Sequence, residues 1–149
     1  MKKRILVVSA LIILIVGIYQ YIKVPSKPPT LTATVNDKNI QVFQGTYCWG
    51  GTCADMKYPE NLIAGVEAVK IKSGDKIKLK FSYKNPTTIR ASIYSSNNDF
   101  KDIKVENYIV DVPKERGIYN YYISGFWQKG ANKNAGLGSS DYVFKVKVE

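Results

Sequence analysis

Residues 76–84 read Lys76-Ile77-Lys78-Leu79-Lys80-Phe81-Ser82-Tyr83-Lys84. Alternation is unbroken. It places Ile77, Leu79, Phe81 and Tyr83 on one face of an extended strand and Lys76, Lys78, Lys80, Ser82 and Lys84 on the other. Such a strand belongs to a sheet with one face on a core and one in water. The end of the chain repeats the pattern: Tyr142, Phe144, Val146 and Val148 face one way, Lys145 and Lys147 the other.

Outward from these two segments, the same reading predicts strands over Leu31–Val35, Ile40–Gln44, Ala64–Lys72, Ile89–Ser95, Lys104–Val112 and Ile118–Trp127. Turn signals separate them: Asn36-Asp37-Lys38-Asn39, Ser73-Gly74-Asp75, Asn85-Pro86 and Ser96-Asn97-Asn98-Asp99. One short helix is expected around Pro59–Ile63. Eight short strands at this spacing predict an all-β fold, a sandwich. Pro113-Lys114-Glu115-Arg116-Gly117, followed by Ile118-Tyr119-Asn120-Tyr121, looks like the corner entering the penultimate strand of an immunoglobulin-like domain. There a tyrosine ties back to the preceding turn, and Tyr119 is the candidate; the alternative is that it only packs a strand. The expected fold is an immunoglobulin-like β-sandwich with an N-terminal transmembrane helix.

That helix is expected from the first residues. Met1-Lys2-Lys3-Arg4 is followed by an uncharged apolar run from Ile5 to Ile22, 18 residues long. A spanning helix needs roughly 17–25 residues. The basic tip sets the topology N-in and C-out, and Tyr19 and Tyr21 suit the headgroup level. A cleaved secretory signal and a buried core helix are the alternatives, but no pair of small residues follows the run in the A-x-A manner that cleavage needs. Pro25, Pro28 and Pro29 then favour an extended spacer. The expected organisation is a cytoplasmic tip and signal-anchor helix over 1–23, a Pro-rich stalk over 24–29 and an extracytoplasmic domain over 30–149.

Composition narrows the chemistry. The 149 residues include 22 Lys and Arg, 12 Asp and Glu, and no His. Without His there is no Ser-His-Asp triad, no Cys-His pair and no HExxH zinc site. Two cysteines cannot build a Cys₄ cage. Asp55, Glu60, Glu67 and Asp99 are available carboxylates, but no sequence feature pairs them. Gly136-Leu137-Gly138-Ser139-Ser140 lacks the Lys of a phosphate loop and reads as a flexible loop. The expectation is a protein that is not an enzyme and takes no metal or cofactor.

Cys48 and Cys53 lie in Tyr47-Cys48-Trp49-Gly50-Gly51-Thr52-Cys53. In an exported domain they are expected to form a disulfide, a hairpin clip across Gly50-Gly51. A redox-active pair and free thiols are the alternatives. The four intervening residues and the lack of a surrounding βαβ pattern speak against the redox reading.

The chain resembles small Gram-positive membrane-anchored envelope proteins with a single β domain. The resemblance rests on Gly45-Thr46-Tyr47-Cys48-Trp49 with Cys53-Ala54-Asp55, on Lys76-Ile77-Lys78-Leu79-Lys80-Phe81, and on Gly117-Ile118-Tyr119-Asn120-Tyr121, Trp127 and Tyr142-Val143-Phe144-Lys145-Val146. It implies a location and a fold, with no activity attached.

Binding is the remaining class. Setting aside Lys2, Lys3, Arg4 and Lys23 leaves 18 basic residues against 12 acidic ones, a charge of +6 on the exported part. If strands pair across Ser73-Gly74-Asp75, then Lys70, Lys72, Lys76, Lys78, Lys80 and Lys84 form one basic face. It would suit anionic wall polymers or lipid headgroups; the alternative is a solvated lysine face that keeps the edge soluble. A second candidate is the loop 128–140, with Lys129 and Lys133, led into by Phe126 and Trp127. Trp49 is a third, although a Trp beside a disulfide is often core. Expected partners are the cell membrane and an envelope protein or anionic wall polymer, with no nucleic acid.

Overall fold

The computed structural model describes residues 8–17, 25–94, 100–128 and 136–149. Their strands are β1 Leu31–Val35, β2 Lys38–Ile40, β3 Val42–Trp49, β4 Thr52–Ala54, β5 Val69–Ile71, β6 Lys76–Phe81, β7 Thr88–Tyr94, β8 Phe100–Ile103, β9 Val105–Glu106, β10 Ile109–Asp111, β11 Gly117–Gln128 and β12 Gly136–Val148. They form two sheets. The smaller has the order β2-β1-β6-β10-β9. The larger has the order β4-β3-β12-β11-β7-β8, with β5 running parallel to the far end of β12. All other pairings are antiparallel.

The alternation acts as expected up to Phe81, where β6 ends; Tyr83, expected on the buried face, is 47% exposed. Ile77, Leu79 and Phe81 are buried, while Lys76, Lys78 and Lys80 are exposed. In β12, Tyr142, Phe144, Val146 and Val148 all enter the core. The inner faces of the two sheets close on each other; within the larger sheet, Tyr121 stacks flat on its cross-strand partner Phe144 with ring centroids 4.9 Å apart. Burial of alternate residues from both sheets is the main source of stability in such a sandwich.

Three predicted strands are broken. Ile40–Gln44 is divided, because β2 ends at Ile40 and β3 starts at Val42. Ala64–Lys72 supplies only β5, since Gly65 turns the chain at φ 72°. Lys104–Val112 is folded back on itself at Asn107 and Tyr108, φ 49° and 60°, the left-handed pair of a tight hairpin turn. By contrast, Gly136–Ser140 is strand. Ladder pairing runs out to Gln128 and Gly136, so the connection after β11 is confined to 129–135.

The Ser73-Gly74-Asp75 turn is present but joins no hairpin. β5 belongs to the larger sheet and β6 to the smaller, so the chain crosses between layers there. The Asp75 carboxylate fixes the crossing by accepting from the Lys72 amide at 2.9 Å and the Asn36 amide group at 3.1 Å.

A small second core lies on the outer face of the larger sheet. The segment after β4 carries a one-turn helix, Pro59–Leu62, and packs Ile63 over Tyr94 and Val143. Lys145 ties it down, donating to the Ile63 carbonyl at 2.8 Å.

Residues 8–17 are helical and exposed throughout. Among the described residues no helix is long and apolar enough to cross a membrane. The expected span 5–22 is described only over its middle, because residues 1–7 and 18–24 lie outside the described set.

Candidate functional site

The aromatic candidates Trp49, Phe126 and Trp127 lie at one end of the sandwich, where β3, β6, β11 and β12 meet the segment 25–30. Edge-on aromatic contacts join Trp49 to Trp127, with centroids 5.3 Å apart, and Trp127 to Phe81 at 5.6 Å. Phe81 in turn meets Tyr142 at 5.8 Å, and Trp49 meets Tyr83 at 6.5 Å. Edge-to-face rings add about 0.5–1.5 kcal/mol per pair beyond burial.

Each polar tip in this cluster finds a backbone carbonyl. Trp49 Nε1 donates to Pro25 O at 2.8 Å, Tyr83 Oη to Lys27 O and Tyr142 Oη to Pro29 O. Three donors therefore take three alternate carbonyls of one extended, proline-rich segment. Prolines leave that segment short of N–H groups, so its carbonyls are the groups available for bonding. Pro28 and Pro29 are buried. The expectation of a free stalk over 24–29 is thus corrected: from Pro25 onward the segment is part of the sandwich. Trp127 Nε1 holds the neighbouring loop in the same way, donating to Lys84 O at 3.0 Å.

Burial pushes the Tyr142 hydroxyl up to about 12, and it raises Tyr83 as well. Both stay protonated donors at neutral pH. Two glycines make room for the indoles. A β-carbon on Gly138 would lie 2.4 Å from the Cys48 carbonyl oxygen and 2.5 Å from the Trp49 ring. One on Gly125 would lie 2.5 Å from the Trp127 ring.

Cys48 and Cys53 form a disulfide with Cα atoms 4.0 Å apart. They face each other across the β3–β4 ladder, and Gly50 and Gly51, φ 57° and 86°, make the two-residue turn. A groove of about 470 Å³ runs between this clip and Phe126, floored by Gly138 and Ser139. Phe126 is 40% exposed, and the Arg90 guanidinium sits 5.8 Å from its ring centroid.

The sequence candidates therefore separate. Trp49 and Trp127 are core residues, 2% and 1% exposed, and so are no exposed binding aromatics. Each indole fills the space left by a missing β-carbon, Trp49 at Gly138 and Trp127 at Gly125, and is thereby removed from solvent. Phe126 remains at the surface. Lys129 and Lys133 lie outside the described residues, as does Asp99. Lys76, Lys78 and Lys80 stand on the outer face of the smaller sheet, with Lys76 Nζ 3.7 Å from the Asp111 carboxylate. Lys70 and Lys72 are not beside them, because β5 went to the other sheet; Lys70 pairs with Glu149 at 3.6 Å. The single six-lysine face is corrected accordingly. Tyr119 Oη donates to Glu115 O at 3.1 Å. Asp55, Glu60 and Glu67 are not brought together, and the described residues hold no cluster of potential metal ligands.

Tyr83, Tyr142, Lys27, Lys84 and Arg90 were not singled out for this end by sequence reasoning. The signal available was indirect: a Pro-rich stretch beside a domain rich in tyrosine. Comparison with protein-family models, curated proteins and solved structures finds no match to the chain.

Proposed function

We propose that the chain is a single-pass, membrane-anchored extracytoplasmic protein whose immunoglobulin-like sandwich binds or supports a cell-envelope partner without catalysing a reaction. The observation that carries this reading is the helical stretch 8–17. Val8, Leu11, Ile12, Ile13, Leu14, Ile15 and Val16 are each more than half exposed. A helix apolar on all sides needs a non-aqueous surround, and a bilayer supplies one. The basic tip Lys2-Lys3-Arg4 supports the N-in orientation.

The immunoglobulin-like assignment rests on strand order. In that fold one sheet carries B, E and D, and the other carries C, F and G. Here β6-β10-β9 and β7-β11-β12 have the same succession, and β8 extends the second sheet beyond β7. The Tyr119–Glu115 bond lies at the corner entering β11, where that fold places its tyrosine tie. The hairpins β1–β2 and β3–β4 are additions at the β6 and β12 edges. The resemblance to Gram-positive envelope proteins points the same way.

A second reading is a basic module for anionic wall polymers or headgroups, favoured by the exposed Lys76, Lys78 and Lys80 stripe. A thiol–disulfide function is the third; the clip's position across a tight hairpin favours a structural bond.

The test is fractionation of cells making the full chain, followed by protease treatment of intact protoplasts. The expected outcome is a carbonate-resistant membrane protein whose sandwich is cut from outside. Recovery in the cytosol would overturn the anchor, and a shortened chain in the medium would select the cleaved-signal alternative. Salt-sensitive binding of a teichoic-acid-type polymer, lost on reversing Lys76, Lys78 and Lys80, would favour the second reading.

A further inference from the structure

The geometry points to the Pro25 end of the sandwich as a lipid-contact surface, seated directly on the anionic headgroups of the bilayer that holds the apolar helix. This rests on the anchor reading above and goes beyond it, because an anchored domain on a free stalk would touch no lipid.

Chain length carries the first part. The uncharged run ends at Ile22, and the sandwich holds the chain from Pro25 through the Trp49 bond. Only Lys23 and Val24 lie between. The three Cα–Cα steps from Ile22 to Pro25 reach at most about 11 Å. The polar zone on each side of a bilayer is about 5–7 Å deep. The sandwich end is therefore held within a few ångström of the headgroups.

Charge carries the second part. This end comprises residues 25–30, 48–53, 82–88, 126–128 and 136–139. Among these described residues the charged ones are Lys27 and Lys84, and none is a carboxylate. Further in, at the level of Ser124, Arg90 reaches Phe126 with its guanidinium, and Asp141 lies across Ser124 at the same level, bonded to the Ser124 hydroxyl. The opposite end differs: Asp75, Asp111, Glu115 and Glu149 are interspersed there with Lys70, Lys72, Lys76, Lys114 and Lys147. A neutral solvated end would need no such sorting. Phe126 and Tyr83, 40% and 47% exposed, give the basic end aromatic rings suited to the interface. Basic residues near an anionic surface are drawn to it.

The experiment uses the full chain in vesicles of phosphatidylcholine alone or with 30% phosphatidylglycerol, carrying headgroup spin-labelled lipid as quencher. The chain has two tryptophans, Trp49 and Trp127, and both lie at this end. Their quenching therefore reports its distance from the headgroups. A variant with ten Gly/Ser residues inserted between Val24 and Pro25 separates attraction from tethering. Its linker spans about 16–19 Å on average. Near-UV circular dichroism of the paired indoles confirms folding in every variant.

Strong quenching is expected for the native chain in both lipids. For the linker variant, quenching should persist with phosphatidylglycerol, fall in phosphatidylcholine alone, and be lost with Lys27→Glu and Lys84→Glu. Equal behaviour of the linker variant in the two lipids overturns the proposal. So does a native chain that floats with vesicles yet stays unquenched, an outcome that leaves the anchor standing. A chain that fails to float removes both.

Discussion

The indole Nε1 of Trp49 lies 2.8 Å from the carbonyl oxygen of Pro25. This bond joins the aromatic core to the point where the chain enters the sandwich. Tyr142, on β12, performs the same task for Pro29 from inside the core, and Tyr83 does so for Lys27 from a more exposed position.

Removing the donors should grade with burial. Tyr142→Phe leaves a buried carbonyl unpaired and should cost about 1–3 kcal/mol. Tyr83→Phe exposes its carbonyl to water and should cost less than about 1 kcal/mol. Urea midpoints of the two variants check this, and equal losses would contradict the graded role.

Gly138 and Gly136 offer a matched pair on one strand. At Gly138 a β-carbon meets backbone oxygen and the Trp49 ring, whereas at Gly136 nothing lies within 4 Å. Gly138→Ala should destabilise by about 2 kcal/mol or more, because backbone cannot yield as a side chain can. Gly136→Ala should stay within about 0.5 kcal/mol. Thermal melts of both distinguish a packing requirement from general glycine flexibility.

The Cys48–Cys53 clip closes a short loop. In the chain-entropy picture such a closure contributes roughly 2 kcal/mol through the unfolded state. The double change to Ser should lower the urea midpoint by that amount without altering near-UV circular dichroism. Loss of the Trp49–Trp127 signal instead would show that the clip shapes the core.

Alkali should unfold the domain in a defined window. Tyr142 and Tyr94 are both raised to about 12, chiefly by burial, against an ordinary 10. The folded state thus holds its phenolic protons to higher pH than the unfolded state. Their contribution is complete below pH 10 and is lost as pH rises through about 12. Each tyrosine can contribute up to about 3 kcal/mol to that loss. Urea midpoints measured from pH 8 to 12, with phenolate absorbance at 295 nm, check the sign. A flat profile would refute it.

Period-two alternation made β6 and β12 legible, since a half-buried strand must alternate to bury one face. The turn at Asn36-Asp37 was legible because Asn and Asp tolerate the left-handed conformation, here φ 45° and 61°. The turn at Asn107-Tyr108 was hidden, because Val105-Glu106 before it and Ile109-Val110 after it read together as one longer strand. The Cys48–Cys53 pairing was legible from Gly50-Gly51 between them.

Local pattern alone thus determined the β class, the inward faces of β6 and β12, the hairpin clip and the apolar N-terminal run. These follow from what each residue does with its near neighbours in the chain. Tertiary structure decided which sheet each strand joined. It sent β5 to β12 rather than β6, split the lysines between layers and buried Trp49 and Trp127. It also turned a proline-rich spacer into a fixed part of the domain. Those outcomes depend on donors and rings brought together from distant positions, Tyr142 and Pro29 among them, and no local pattern encodes such meetings.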